Sequence, residues 1–153
     1  MRDPIELNIS QAVGEPPSET LVELFEDRFQ VKLPVEFVKL LHYSNGGYPE
    51  LDSFIPKAAA SQHFRGVDRF YGLTADREHV SKLWGATAAW QSSAGKQIVP
   101  IAHTAGGDQI VLLYESTPPS VWLCLHDEGF KMTLVADSFS EFIDMLCEDP
   151  EMI

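Results

Sequence analysis

QIVPIAHTAGGDQIVLLYESTPPSVWLCLHDEGFKMTLVADSFSEFIDMLCE, residues 97–148, decides the fold. Four runs within it are rich in apolar and β-branched residues: Ile98–Ala102, Gln109–Glu115, Val121–His126 and Lys131–Ala136. HTAGGD, STPPS and DEGF separate them, each turn-like in composition. Connections this short predict an antiparallel meander, because a parallel crossover needs about a dozen residues. The second and third runs are apolar almost throughout, as central strands covered on both faces are. The fourth alternates Met132, Leu134 and Ala136 against Lys131, Thr133 and Val135. Ser138-Phe139-Ser140-Glu141 then fits a capping box, in which Ser and Glu side chains satisfy each other's backbone donors. Phe139, Phe142, Ile143, Leu146 and Cys147 recur at helical spacing, one apolar stripe of a closing helix.

Upstream, residues 1–17 hold three of the ten prolines and end in GEPP, an irregular lead-in. Ser18 is placed to cap a helix with Glu19 in its first turn and a stripe of Leu21, Leu24, Phe25 and Phe29. Pro34 is expected as the first residue of a second helix, with Phe37, Val38, Leu40 and Leu41 on its buried face. Asn45-Gly46-Gly47 is expected to stop it, since Gly and Asn tolerate the left-handed conformation of a helix end. Leu51 to Ile55 and Phe70 to Leu73 read as short strands. KAAASQHFRG reads as loop, and residues 76–91 as a helix with Val80, Leu83, Trp84 and Ala88 on one side. Helices, then a strand meander, then a helix packed on it define an α+β fold. The 153 residues suit one domain, with 51–96 its least patterned segment.

Charge narrows the function. Eleven Lys and Arg face 23 Asp and Glu, a net −12. That field repels phosphate backbones and anionic membranes, so nucleic acid and membrane are not the expected partners, whereas a basic protein is. The segment Lys57–Lys96 departs from this, with six bases against three acids, so it carries +3 and the remainder −15. MRDPIELNIS lacks the apolar run of a signal peptide, and no window approaches the roughly 18 apolar residues of a membrane span. A cytoplasmic, reduced protein is the expectation. Cys124 and Cys147 form no CxxC and read as small buried hydrophobes.

No constellation of residues compels catalysis, and no cofactor or resident metal is expected. The five histidines, His42, His63, His79, His103 and His126, are scattered. The nearest to a ligand set is His103 with Asp108 across the AGG turn, together with His126-Asp127 at a strand end; polar turn residues are the simpler account. Gly106-Gly107-Asp108 lacks the Lys and following helix of a phosphate cradle and reads as a hairpin turn. Trp84, Trp90 and Trp122 are accounted for by packing.

Three stretches in order carry a family likeness: FEDRFQVKLPVEFVKLLHYSNGG (25–47), IVPIAHTAGGDQIVLLY (98–114) and VADSFSEFIDMLCE (135–148). Together they cover about a third of the chain. With Leu33-Pro34, Asn45-Gly46-Gly47, Pro100-Ile101-Ala102, Gly107-Asp108 and Ser138-Phe139-Glu141-Phe142, the chain resembles the SUKH superfamily, specifically the group named for a fungal cell-wall assembly regulator. The resemblance implies an α+β scaffold and, for bacterial members, an immunity protein that binds and neutralises a toxin of a contact-dependent or other polymorphic system, often a nuclease. Fungal members suggest instead a regulatory or scaffolding module. A small-molecule site at the His103–Asp108 and His126–Asp127 turns is a third reading. The matched motifs are structural, so function belongs to surfaces they do not fix. The acids of the first helix (Glu19, Glu23, Glu26, Asp27) and of the last (Glu141, Asp144, Glu148, Asp149) are the expected toxin-binding residues. The middle segment, with Phe64, Phe70 and Tyr71 between bases, is the competing recognition surface.

Overall fold

The computed structural model describes residues 1–59, 62–77, 79 and 82–150. A 3-10 turn (Pro4–Leu7) leads to helices α1 (Glu19–Phe29) and α2 (Val35–Tyr43). Short strands β1 (Ser53–Phe54), β2 (Arg65–Gly66) and β3 (Arg69–Phe70) follow, then α3 (Leu83–Ala94). Strands β4 (Ile98–His103), β5 (Gln109–Leu113), β6 (Ser120–Leu125) and β7 (Lys131–Ala136) precede α4 (Phe139–Met145). The architecture is α+β, as the sequence predicts.

The four apolar runs are strands, each antiparallel to the next, and β3 extends the sheet to the order β3-β4-β5-β6-β7. β5 is the middle strand and all its residues are buried, while β6 leaves Ser120 and Trp122 half-exposed. Because side chains alternate across a strand, the sheet serves two cores. Val99, Ile101, Ile110, Leu112, Val121 and Leu123 join Phe25, Phe37, Phe139 and Phe142 in the larger one. Ile98, Val111, Leu113 and Cys124 form the smaller, against Trp90, Ala94 and Phe130. Edge-to-face pairs join the helices to the rest: Phe37 with Phe139, Phe54 with Phe142, and Phe25 with Trp84.

Helix starts follow local chemistry. Ser18 accepts from the Leu21 N–H and Ser138 from the Glu141 N–H, each at 3.1 Å. The Glu141 carboxylate, expected to complete the box, meets Lys57 at 3.4 Å. Pro34 is the residue before α2, not its first. On α1 it is Val22 that joins Phe25 and Phe29 inside, while Leu24 is exposed. On α3, Ala88 is exposed although Leu83 and Trp84 are buried, and Val80 lies outside the described residues. The run read as loop contributes β2, which pairs with β1.

Two corrections concern helix ends. α2 stops at Tyr43 with Ser44 in extended backbone, before Asn45-Gly46-Gly47. The tripeptide has another task. The Asn45 side chain accepts from the Leu73 N–H (2.7 Å) and donates to the carbonyls of Leu73 (2.9 Å) and Glu15 (2.8 Å). Gly46 and Gly47 have φ of +75° and +117°, and a Cβ on Gly47 would lie 2.4 Å from the Ser10 carbonyl oxygen. The motif therefore knots the lead-in to residues 70–73, which also explains why Leu7 in the supposedly irregular start is fully buried. α4 ends at Met145, two residues before Cys147, because Cys147 exchanges both backbone hydrogen bonds with Ser53 at 2.9 Å. Glu148 and Asp149 thus follow this bridge and are not on the helix.

Candidate protein-binding site

The eight acids expected to meet a partner have unlike surroundings. On α4, Glu141 pairs with Lys57, which also holds Asp137; these contacts raise the Lys57 pKa, the Asp137 hydrogen bond most of all. Asp144 accepts from the Arg2 N–H, and the Arg2 guanidinium caps the helix end by donating to the carbonyls of Leu146 (2.6 Å) and Ile143 (3.3 Å). Asp149 lies beside Asp52, His63 and Arg65 in a shallow recess, and Glu148 is exposed.

α1 is different. Glu19, Glu23 and Asp27 are exposed, and among the described residues none has a cation within ion-pair reach. They stand at successive i, i+4 positions, the spacing at which like charges on a helix repel by about 0.2–0.5 kcal/mol per pair. Glu26 is the exception. Its side chain is 10% exposed, and its carboxylate accepts from the Leu33 N–H at 2.7 Å and lies 3.6 Å from the Lys32 ammonium.

Beside this ridge runs a groove of about 320 Å³ between α1 and α2. Val22, Leu33, Val35 and Val38 give it an apolar floor, and Glu19, Glu23 and Glu26 form one rim. Val35 is 76% exposed, far more than an apolar side chain usually is. Both ends are fixed. The His42 ring is 3.1 Å from the Pro17 carbonyl at one end. At the other, the Tyr114 hydroxyl donates to the Lys32 carbonyl (2.8 Å), and the Gln97 amide to that of Gln30 (2.9 Å). Sequence reasoning did not mark these apolar residues as a surface: Val38 was expected on the buried face of α2 and is only half-buried. The one available signal was Val35, at a helix start where solvent exposure is usual.

Phe70 and Tyr71 of the middle segment are core residues, and only Phe64 is exposed. Tyr71 donates to Gln109 at 2.6 Å, and burial pushes its pKa up to about 12. A wider recess of about 580 Å³ follows β6 and β7, with His63, Arg65 and Lys131 among its lining.

The turn histidines divide. Asp108 accepts from the His126 backbone N–H (3.1 Å) and lies 2.7 Å from its Nδ1, so it ties the β4–β5 turn to the end of β6. Asp127 is near enough to complete a three-residue cation-binding group with them. His103 is not in that group; its ring lies 5.5 Å from that of Tyr71, tilted by 38°, and 3.7 Å from Asp68. Cys124 is fully buried, and burial pushes its thiol pKa up, so thiolate chemistry is disfavoured there. Among the described residues no helix is long and apolar enough to cross a membrane.

A SPbeta prophage-derived uncharacterized protein of Bacillus subtilis (strain 168), YokK, is 31% identical over 104 residues, 66% of this chain and 50% of that protein. The chain thus matches only about half the length of this curated relative. The region from residue 16 to residue 145, from just before α1 to the last residue of α4, matches one family throughout, and the chain belongs to it: the SMI1 / KNR4 family (SUKH-1).

Proposed function

We propose that this chain is an immunity protein, which binds a cognate bacterial toxin of a contact-dependent or polymorphic system and neutralises it without catalysis. The observation that carries the reading is the α1 ridge, where three exposed carboxylates have no cation within ion-pair reach among the described residues, beside an apolar groove. A basic toxin such as a nuclease is the partner this surface fits, since opposite charge speeds encounter and an inhibitor can cover a cationic active site. Of the acids expected at the interface, Glu19, Glu23 and Asp27 are retained, while Glu26, Glu141 and Asp144 are engaged within the chain. Family membership supports a protein-binding role, because the family motifs hold the fold and define no catalytic centre.

The test is bacterial survival when this chain is co-expressed with the toxin domain encoded beside it, with co-purification of the two. Rescue together with a stable complex supports neutralisation by binding. No rescue, with the toxin active and this protein folded, sinks the immunity reading for that pair and turns attention to a scaffolding role.

A further inference from the structure

We propose that the α1–α2 groove is the seat of a partner segment that presents an apolar side chain between Lys or Arg residues. This deepens the binding role above and rests on it for the partner's identity, though not for the groove's chemistry. The floor is Val22, Leu33, Val35 and Val38, and the adjoining ridge is Glu19, Glu23 and Asp27. An apolar side chain in the groove would cover Val35, and flanking cations would lie against carboxylates that have no cation within ion-pair reach among the described residues. The i, i+4 repulsion along the ridge would be relieved at the same time. A feature that is locally unfavourable in the free protein and favourable in a complex marks a functional surface. A second copy of this chain is the poorer occupant, since it carries −12 itself and would set acid against acid.

The groove is also preorganised. Glu26, Gln97 and Tyr114 hold the connection at one end, and His42 meets the Pro17 carbonyl at the other. Little conformational freedom remains to be lost on binding. The two kinds of residue should therefore separate kinetically: carboxylates set the association rate and its salt dependence, and the apolar floor sets the dissociation rate.

The probe is a synthetic amphipathic peptide of Lys and Leu, compared with one of equal charge in which Ser replaces Leu. Binding to the full-length chain is read from amide shifts in two-dimensional NMR spectra. The Lys/Leu peptide is expected to shift residues 19–26 and 35–42 and to bind at least tenfold more tightly than the Lys/Ser peptide. Val35→Asp combined with Val38→Ser should weaken it at least tenfold, mainly through faster dissociation. Glu19→Lys with Glu23→Lys should weaken it similarly through slower association, an effect that fades at high salt. Each variant's thermal transition confirms that it folds. Equal binding of the two peptides, shifts confined to the β6–β7 recess, or undiminished binding by both variants overturns the proposal.

Toxin rescue separates this proposal from the broader function. Rescue that survives both groove variants overturns the groove and leaves the immunity role standing. Peptide binding at the groove without rescue does the reverse.

Discussion

Helices α1 and α4 read almost alike in the sequence. Each begins at a capping Ser, buries an aromatic stripe and turns carboxylates outward. In the structure they diverge. α4 sets its acids against Lys57 and the Arg2 backbone, whereas α1 leaves three of its four open and turns the fourth, Glu26, onto its own connection. Net charge therefore does not locate a binding face. What distinguishes the helices is whether their carboxylates already have partners.

The largest test asks whether the two helices are equivalent beneath their surfaces. Phe25 and Phe142 are both fully buried in the larger core, with aromatic neighbours at ring-centroid distances of 4.9–5.6 Å from Phe29, Trp84 and Phe54. Alanine at either should cost about 3–5 kcal/mol, the usual range for a buried Phe. Urea unfolding of both variants checks this. Should Phe25→Ala cost under 1 kcal/mol while Phe142→Ala costs the full amount, α1 would be a loosely attached element, and its groove could not be preorganised.

An intermediate effect separates Glu26 from its neighbours on α1. Glu26→Ala leaves the Leu33 N–H without its acceptor in a partly buried place and should cost about 1–3 kcal/mol. Glu23→Gln, one turn away and exposed, should change stability by less than about 0.5 kcal/mol. Thermal melts of the two variants decide it, and equal losses would mean that Glu23 has a structural task as well.

That contrast shows what was legible in the sequence. The four strands, the two Ser caps and the stripe of α4 declare themselves within a few residues, where periodicity and capping act. Glu19, Glu23 and Glu26 all look like solvated helix residues, and nothing nearby in sequence says that Glu26 folds back onto Leu33. The longer links are less visible still. Lys57 meets Asp137 across 80 positions, Asn45 pins Leu73 across 28, and the Ser53–Cys147 bridge cuts α4 short of the length its stripe predicts. Of the four α1 acids expected at a partner, Glu19, Glu23 and Asp27 are exposed and Glu26 is not, and the apolar neighbour was not seen, since a groove needs two helices placed side by side. Only the fold supplies that.

The smallest effect is also the sharpest, because it predicts a difference in sign. Asp27 and Asp144 occupy the last turns of α1 and α4, where a carboxylate faces the negative end of the helix dipole. Asp27 adds repulsion from Glu23 at i, i+4 and has no cation within ion-pair reach among the described residues. Asp27→Asn should therefore stabilise the protein by about 0.3–0.5 kcal/mol at low ionic strength. Asp144 occupies the same kind of position but accepts the Arg2 N–H, beside a guanidinium that caps the helix. Asp144→Asn weakens a charge-assisted hydrogen bond and should destabilise by a similar amount. Both substitutions remove one negative charge, so the general self-repulsion of a −12 chain cannot produce opposite signs. Paired urea midpoints at low and high salt measure the difference. Opposite signs that converge as salt rises would establish that α1, and not α4, carries unrelieved charge at its last turn, the condition on which its role in binding depends. A shared sign would make the two helices electrostatically alike and remove the reason for choosing one face over the other.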